Sequence, residues 1–145
     1  MKKKVLFVDD EPLFRSVLAR MLSKAGYDSD ELDSSEGVME LLEKNQYYCI
    51  VLDYYMPMGM NGLELADMIR KHDNPAISTI PILLLTGWLE MEIIDNAEKI
   101  GIDLFRQKKH IVTSPEGITE AIESTVSRNE LHLINNTLML IFKER

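Results

Sequence analysis

The sequence predicts an α/β domain: a five-stranded parallel sheet doubly wound by helices. Three observations predict it. Strand-like and helix-like segments alternate five times along 145 residues, a length that suits one domain. The strand candidates VLFVD, YCIVLD and IPILLLT are near-continuous apolar runs, the pattern of strands covered on both faces. The segments between strands carry apolar residues at helical spacing.

Taken in order, residues 3–9 (KKVLFVD) form the first strand. Pro12 suits the first turn of a helix, with Asp10 or Glu11 near its positive end. Phe14, Val17, Leu18, Met21 and Leu22 give that helix an apolar side, and Gly26 stops it. Residues 27–33 (YDSDELD) are a polar strand suited to a sheet edge. Ser34 or Ser35 caps a second helix reaching about Lys44, with Val38, Leu41 and Leu42 facing inward. Residues 48–53 (YCIVLD) form a buried strand, followed by a Gly- and Met-rich loop over 54–62. Met56, Met58 and Met60 fill gaps there. Residues 63–72 form a helix with Leu63, Leu65, Ala66 and Ile69 as its apolar positions, and 73–79 (DNPAIST) form a loop. A strand over 80–86, a helix over 89–100 ended by Gly101, and a strand over 102–107 follow. Thr113 or Ser114, then Pro115, Glu116 and Glu120, begin a last helix to about Arg128.

Residues 129–145 continue beyond it. Leu131, Ile134, Leu138, Ile141 and Phe142 make an apolar stripe, widened by Leu133, Met139 and Leu140. Such a segment packs on its own domain, pairs with another chain, or begins a linker helix to an output domain. The chain thus divides into a domain over 1–128 and an apolar extension over 129–145.

Composition narrows the function. Sixteen basic against 24 acidic residues leave a net charge of −8, which argues against nucleic-acid binding by this domain. The one basic run, Lys2-Lys3-Lys4, reads as a solvated strand start. Cys49 is the only cysteine and sits in an apolar run, so it reads as a core residue, consistent with a reducing cytoplasm. No apolar run reaches the ~18 residues of a membrane span, and no signal-peptide core is present.

In doubly wound sheets, ligands gather at the carboxyl ends of the strands. Asp9 and Asp10 end the first strand, Asp53 the third and Thr86 the fourth; Lys108 and Lys109 follow the fifth. Two carboxylates about 4 Å apart repel by about 4 kcal/mol at an effective dielectric of 20, so three together call for a cation. An all-oxygen set suits Mg²⁺. Zinc is disfavoured, because His72, His110 and His132 are scattered and Cys49 has no partner cysteine. Beside a cation, an ionised Asp can attack phosphorus to form an acyl phosphate. A lysine would neutralise the developing charge, and a threonine hydroxyl could donate to a phosphoryl oxygen.

The motifs VDDEP, IVLDYYMP…NGLEL, LLLTG and FRQKK, in this order across about residues 3–128, resemble the receiver domain of two-component response regulators. The resemblance implies a flavodoxin-like strand order, 2-1-3-4-5. It implies that Asp53 is the phosphoacceptor and that Asp9, Asp10, Asp53 and the backbone carbonyl of Tyr55 hold Mg²⁺. Thr86 would be the switch hydroxyl, Lys108 the phosphate-facing lysine and Phe105 the switch aromatic. A histidine kinase or phosphotransfer protein would supply the phosphoryl group. The face of the fourth helix, fifth strand and fifth helix would then change for an output protein or for self-association, which the 129–145 extension could also serve.

Departures from the pattern carry their own expectations. The stretch MPMGMNG is one residue longer than usual between proline and glycine. Lys109 stands where a proline usually follows the lysine. A non-proline cis bond costs about 2.5–4 kcal/mol, so a trans bond and a rearranged loop are expected, and Lys109 could compete for the phosphate. Tyr55 and Trp88 stand two residues beyond Asp53 and Thr86, where their bulk would slow water attack on the acyl phosphate. The leading reading is a phosphorylation-dependent receiver that transfers phosphate only to itself. The alternative is a degenerate receiver acting as a phosphorylation-independent docking or dimerisation module. A phosphatase with an Asp nucleophile is disfavoured, because Tyr55 occupies the place of an acid–base carboxylate.

Overall fold

The computed structural model describes residues 2–88 and 90–143. Five parallel strands, β1 (Lys4–Val8), β2 (Asp28–Leu32), β3 (Cys49–Asp53), β4 (Ile82–Thr86) and β5 (Leu104–Gln107), form one sheet in the order β2-β1-β3-β4-β5. The helices are α1 (Pro12–Lys24), α2 (Val38–Lys44), α3 (Gly62–Arg70), α4 (Pro75–Ser78), α5 (Met91–Ile100), α6 (Lys108–Val112) and α7 (Gly117–Lys143). The expected start of the fourth major helix at Leu89 lies outside the described residues.

The alternation along each strand explains the unbroken apolar runs. Leu6, Val8, Ile50, Leu52, Ile82 and Leu84 point to one face and pack with α2, α3 and α5. Val5, Phe7, Cys49, Val51, Leu83 and Leu85 point to the other and pack with α1 and α7. Both sets are buried, so neither face of the inner strands has a polar side. The polar β2 lies at the edge, as its sequence requires.

Several boundaries differ from expectation, each for a local reason. The second helix starts at Val38, not at a serine, because Gly37 takes a left-handed φ of 85° just before it. Ser34 Oγ instead accepts from the Glu36 amide at 3.3 Å, and Ser35 Oγ accepts from the Met60 amide at 3.1 Å. The expected loop over 73–79 contains the single turn α4, begun by Pro75 and capped by Asn74, whose side chain accepts from the Ala76 amide at 3.0 Å. After β5 the chain turns directly into α6 with trans peptides throughout the described residues. The last helix begins at Gly117, where an added Cβ would lie 2.4 Å from the Ile111 carbonyl oxygen. That approach of α6 to α7 needs a glycine. Of the loop methionines, Met56 is buried and Met60 packs on the core, whereas Met58 is exposed.

The amino-terminal ends of β4 and β5 are tied by a buried polar node. Arg70 Nε donates to Gly101 O (2.9 Å), Nη1 to Ser78 O (3.0 Å) and Ile80 O (2.6 Å), and Nη2 to Asp103 Oδ2 (2.9 Å). Asp103, 4% exposed, also accepts from the Ile82 amide (2.9 Å) and from Asn129 Nδ2 (3.2 Å), and His132 Nδ1 lies 2.8 Å from its Oδ1. The node joins α3, both strands and α7. Asp103→Ala strands a buried guanidinium and an amide, so urea unfolding should show a loss of about 3–5 kcal/mol. A loss below about 1 kcal/mol would contradict this account.

Beyond His132 the described residues of the extension are exposed. The helix α7 runs unbroken to Lys143, and the large apolar side chains from Leu131 to Phe142 are 38–70% exposed. No helix among the described residues is long and apolar enough to cross a membrane.

Candidate functional site

The fold brings the strand-end residues together. Asp9 follows β1, Asp53 ends β3 and Thr86 ends β4; each is buried, at 2%, 4% and 1% exposure. Lys108 opens α6 directly after β5.

Local structure fixes each group. Asp9 Oδ1 accepts from the Glu11 amide at 2.9 Å, and Arg15 Nη1 donates to the Asp9 carbonyl at 2.8 Å, which sets the turn into α1. On the β3 side, the Tyr54 amide donates to Leu85 O (2.8 Å) and the Gly62 amide to Tyr54 O (2.9 Å). An added Cβ at Gly62 would lie 2.4 Å from the Asp53 carbonyl oxygen. A glycine is needed for α3 to abut the Asp53 backbone. Asn61 and Glu64 close a capping box at this helix start, at 2.9 and 3.1 Å. The longer 56–62 loop is pinned through Met60 to Ser35, beside Gly59 with its left-handed φ of 88°.

The electrostatics are unbalanced. One carboxylate oxygen from each of Asp9, Asp10 and Asp53 lies within 4.8 Å of the others. Lys108 Nζ stands 2.8 Å from Asp9 Oδ2, 3.3 Å from Asp53 Oδ2 and 3.9 Å from Glu11 Oε1, over the Phe14 ring at 4.7 Å. Burial, and then the charge on Asp9, push the Asp53 carboxyl up to about 7, with Lys108 pulling it back and Asp10 adding to the rise. Burial works against the Lys108 charge, yet Asp9 and Asp53 outweigh it and hold its pKa above the ordinary value. Two buried oxygens, Asp9 Oδ2 and Thr86 Oγ1, receive no aligned hydrogen bond among the described residues. Three converging carboxylates set against one ammonium fit a small hard cation such as Mg²⁺.

A cavity of about 520 Å³ opens over these groups, lined by Asp53, Thr86 and Lys108 among others, with Tyr55 and Trp88 at 69% and 67% exposure. Trp88 Nε1 donates to Glu90 Oε1 at 2.8 Å. Phe105 stands apart from the cavity, half-buried against the core beside Leu84. Lys109 is exposed and pairs with no carboxylate among the described residues. Sequence reasoning missed the contacts of Glu11, Phe14 and Ser35. Phe14 and Ser35 read as a core residue and a helix cap, so nothing marked them for the site. His110 is exposed, while His132, also without a sequence pattern, belongs to the Asp103 node.

A family model for the response regulator receiver domain matches residues 5–123. The chain is 30% identical over 105 residues to the sensory/regulatory protein RpfC of Xanthomonas campestris, covering 72% of this chain and 14% of that protein. It is 27% identical over 129 residues to the transcriptional regulatory protein FixJ of Bradyrhizobium diazoefficiens, covering 89% and 59%. The chain therefore spans less than two thirds of these relatives. The chemotaxis response regulator CheY4 of Vibrio cholerae shares its fold with a TM-score of 0.75 at 24% identity, over 86% of this chain and 99% of that one.

Proposed function

The chain belongs to the response regulator receiver family, and from that premise we propose that it is a phosphorylation switch with Asp53 as its acceptor. The observation that carries the reading is the cavity in which Asp53, Thr86 and Lys108 meet beside the Asp9–Asp10 pair.

An Asp53 oxygen attacks the phosphorus of a phosphohistidine on a histidine kinase or phosphotransfer protein. The new O–P bond forms as the P–N bond breaks, and the imidazole leaves with that electron pair and takes up a proton. Lys108 neutralises one phosphoryl oxygen. Thr86 Oγ1, without a hydrogen-bond partner among the described residues, donates to another. Asp9, Asp10, Asp53 and the Tyr55 carbonyl are the residues that would hold Mg²⁺, which when bound supplies further neutralisation of phosphoryl charge. The chain catalyses only its own phosphorylation and hydrolysis. The movement of Thr86 and Phe105 then alters the α5–β5–α7 face for an output protein or a second receiver. The setting is cytoplasmic, without nucleic-acid or membrane contact by this domain. Residues 1–128 form the receiver and 129–145 its extension.

The test adds beryllofluoride, a phosphoryl mimic, with Mg²⁺ and follows Trp88 fluorescence. A saturable change lost in Asp53→Asn is the expected result. Silence in a folded protein favours the rival docking module, which draws on the longer 56–62 loop and Lys109. Tyr55 and Trp88 flank the path of attacking water, so Tyr55→Asn should speed loss of the phosphoryl group several-fold. An equal or slower rate would sink this role for Tyr55.

A further inference from the structure

We propose that residues 131–142 of α7 form a self-association seam whose occupants are further copies of this chain, aligned in parallel. The seam is defined by spacing. Leu131, Ile134, Leu138 and Ile141 follow one another at intervals of three, four and three residues, the period that keeps one edge of a helix facing a neighbouring helix. All four are 45–58% exposed.

Charge selects the occupant. The chain carries 24 acidic and 16 basic residues, yet none of them falls between Leu131 and Phe142. Copies with a net charge of −8 repel one another over most of their surface. This stretch is where they can approach without repulsion. One heptad earlier, the same positions are Ser124 and Ser127, small enough to let the domains sit beside one another.

Anchoring sets the direction. Asn129 Nδ2 donates to Thr79 O at 3.0 Å and to Asp103, and His132 contacts Asp103, so α7 is held to the sheet up to the residue next to the seam. The helix then leaves from the end of the sheet opposite Asp53, clear of the cavity. Leucine and isoleucine alternate in the order that favours more than two helices, and Phe142, Leu133 and Leu140 broaden the apolar face beyond what a single neighbour covers.

The experiment is sedimentation of the full chain across concentration. Concentration-dependent assembly is expected. Leu138→Asn should reduce it at least tenfold, and Asn136→Gln, exposed on the side of the helix opposite the seam, should leave it unchanged. These side chains lie outside the domain core, and far-ultraviolet circular dichroism reports that each variant remains folded. In the parallel arrangement, Ile134→Cys should cross-link to its own counterpart on oxidation. A monomer at every concentration overturns the proposal and leaves the seam to a different protein. Assembly unaffected by Leu138→Asn, or no Ile134→Cys cross-link within an assembly, overturns it as well. Loss of phosphoryl uptake with assembly intact would count only against the switch.

Discussion

Replacing Asp53 with Asn should abolish acyl-phosphate formation and, with metal removed, make the protein more stable. The first effect follows from losing the nucleophilic oxygen. The second follows from the electrostatics. The Asp53 carboxyl titrates at about 7 in the fold, against about 3.9 in an unfolded chain. Between those values the native state binds more protons than the unfolded state. The carboxyl's contribution is thus fully favourable below about pH 4 and is lost as pH rises towards 7. Asparagine does not ionise. Its advantage over aspartate should be near zero at pH 4 and grow to about 2–4 kcal/mol at pH 8 in EDTA. Urea unfolding at both pH values measures it. A gain at pH 8 no larger than at pH 4 would show that the acidic cluster is not frustrated.

The second large effect is at Lys108. Its ammonium is the cation nearest Asp9 and Asp53 among the described residues, 15% exposed at the side chain. Lys108→Ala leaves two buried carboxylates facing each other and should cost about 3–5 kcal/mol without metal. It should also slow phosphoryl uptake from a small acyl phosphate donor by about 10²–10³, the loss typical of removing one preorganised stabiliser of transition-state charge. Lys109→Ala should change neither, since Lys109 is exposed and meets no carboxylate among the described residues. Equal losses from both variants would mean that Lys109 shares the phosphate.

The sheet and the acidic cluster were legible in the sequence because both rest on strong local signals. Strands buried on both faces cannot avoid continuous apolar runs. Carboxylates ending such runs must converge at one end of a parallel sheet. The short elements were not legible. One turn at α4 and another at α6 are too brief for a periodicity, and each depends on a particular cap or on contacts from another element. Ser35 shows the same limit: a serine before a helix reads as a cap, and only the fold brings it to Met60. The node of Arg70, Asp103, Asn129 and His132 was hidden because its members are spread over more than 60 positions, from 70 to 132.

That node has a consequence for how the molecule breathes. At one end of the sheet both oxygens of a buried carboxylate are engaged, by a guanidinium, an amide and two side chains from α7. At the other end like charges crowd and a hydroxyl lacks a partner among the described residues. Local opening should therefore cost least around the β–α loops that carry Asp9, Asp53 and Thr86, and most where the Ile82 amide donates to Asp103. In hydrogen–deuterium exchange the sheet would loosen from its charged end, while the Ile82 amide would be among the last to trade its proton.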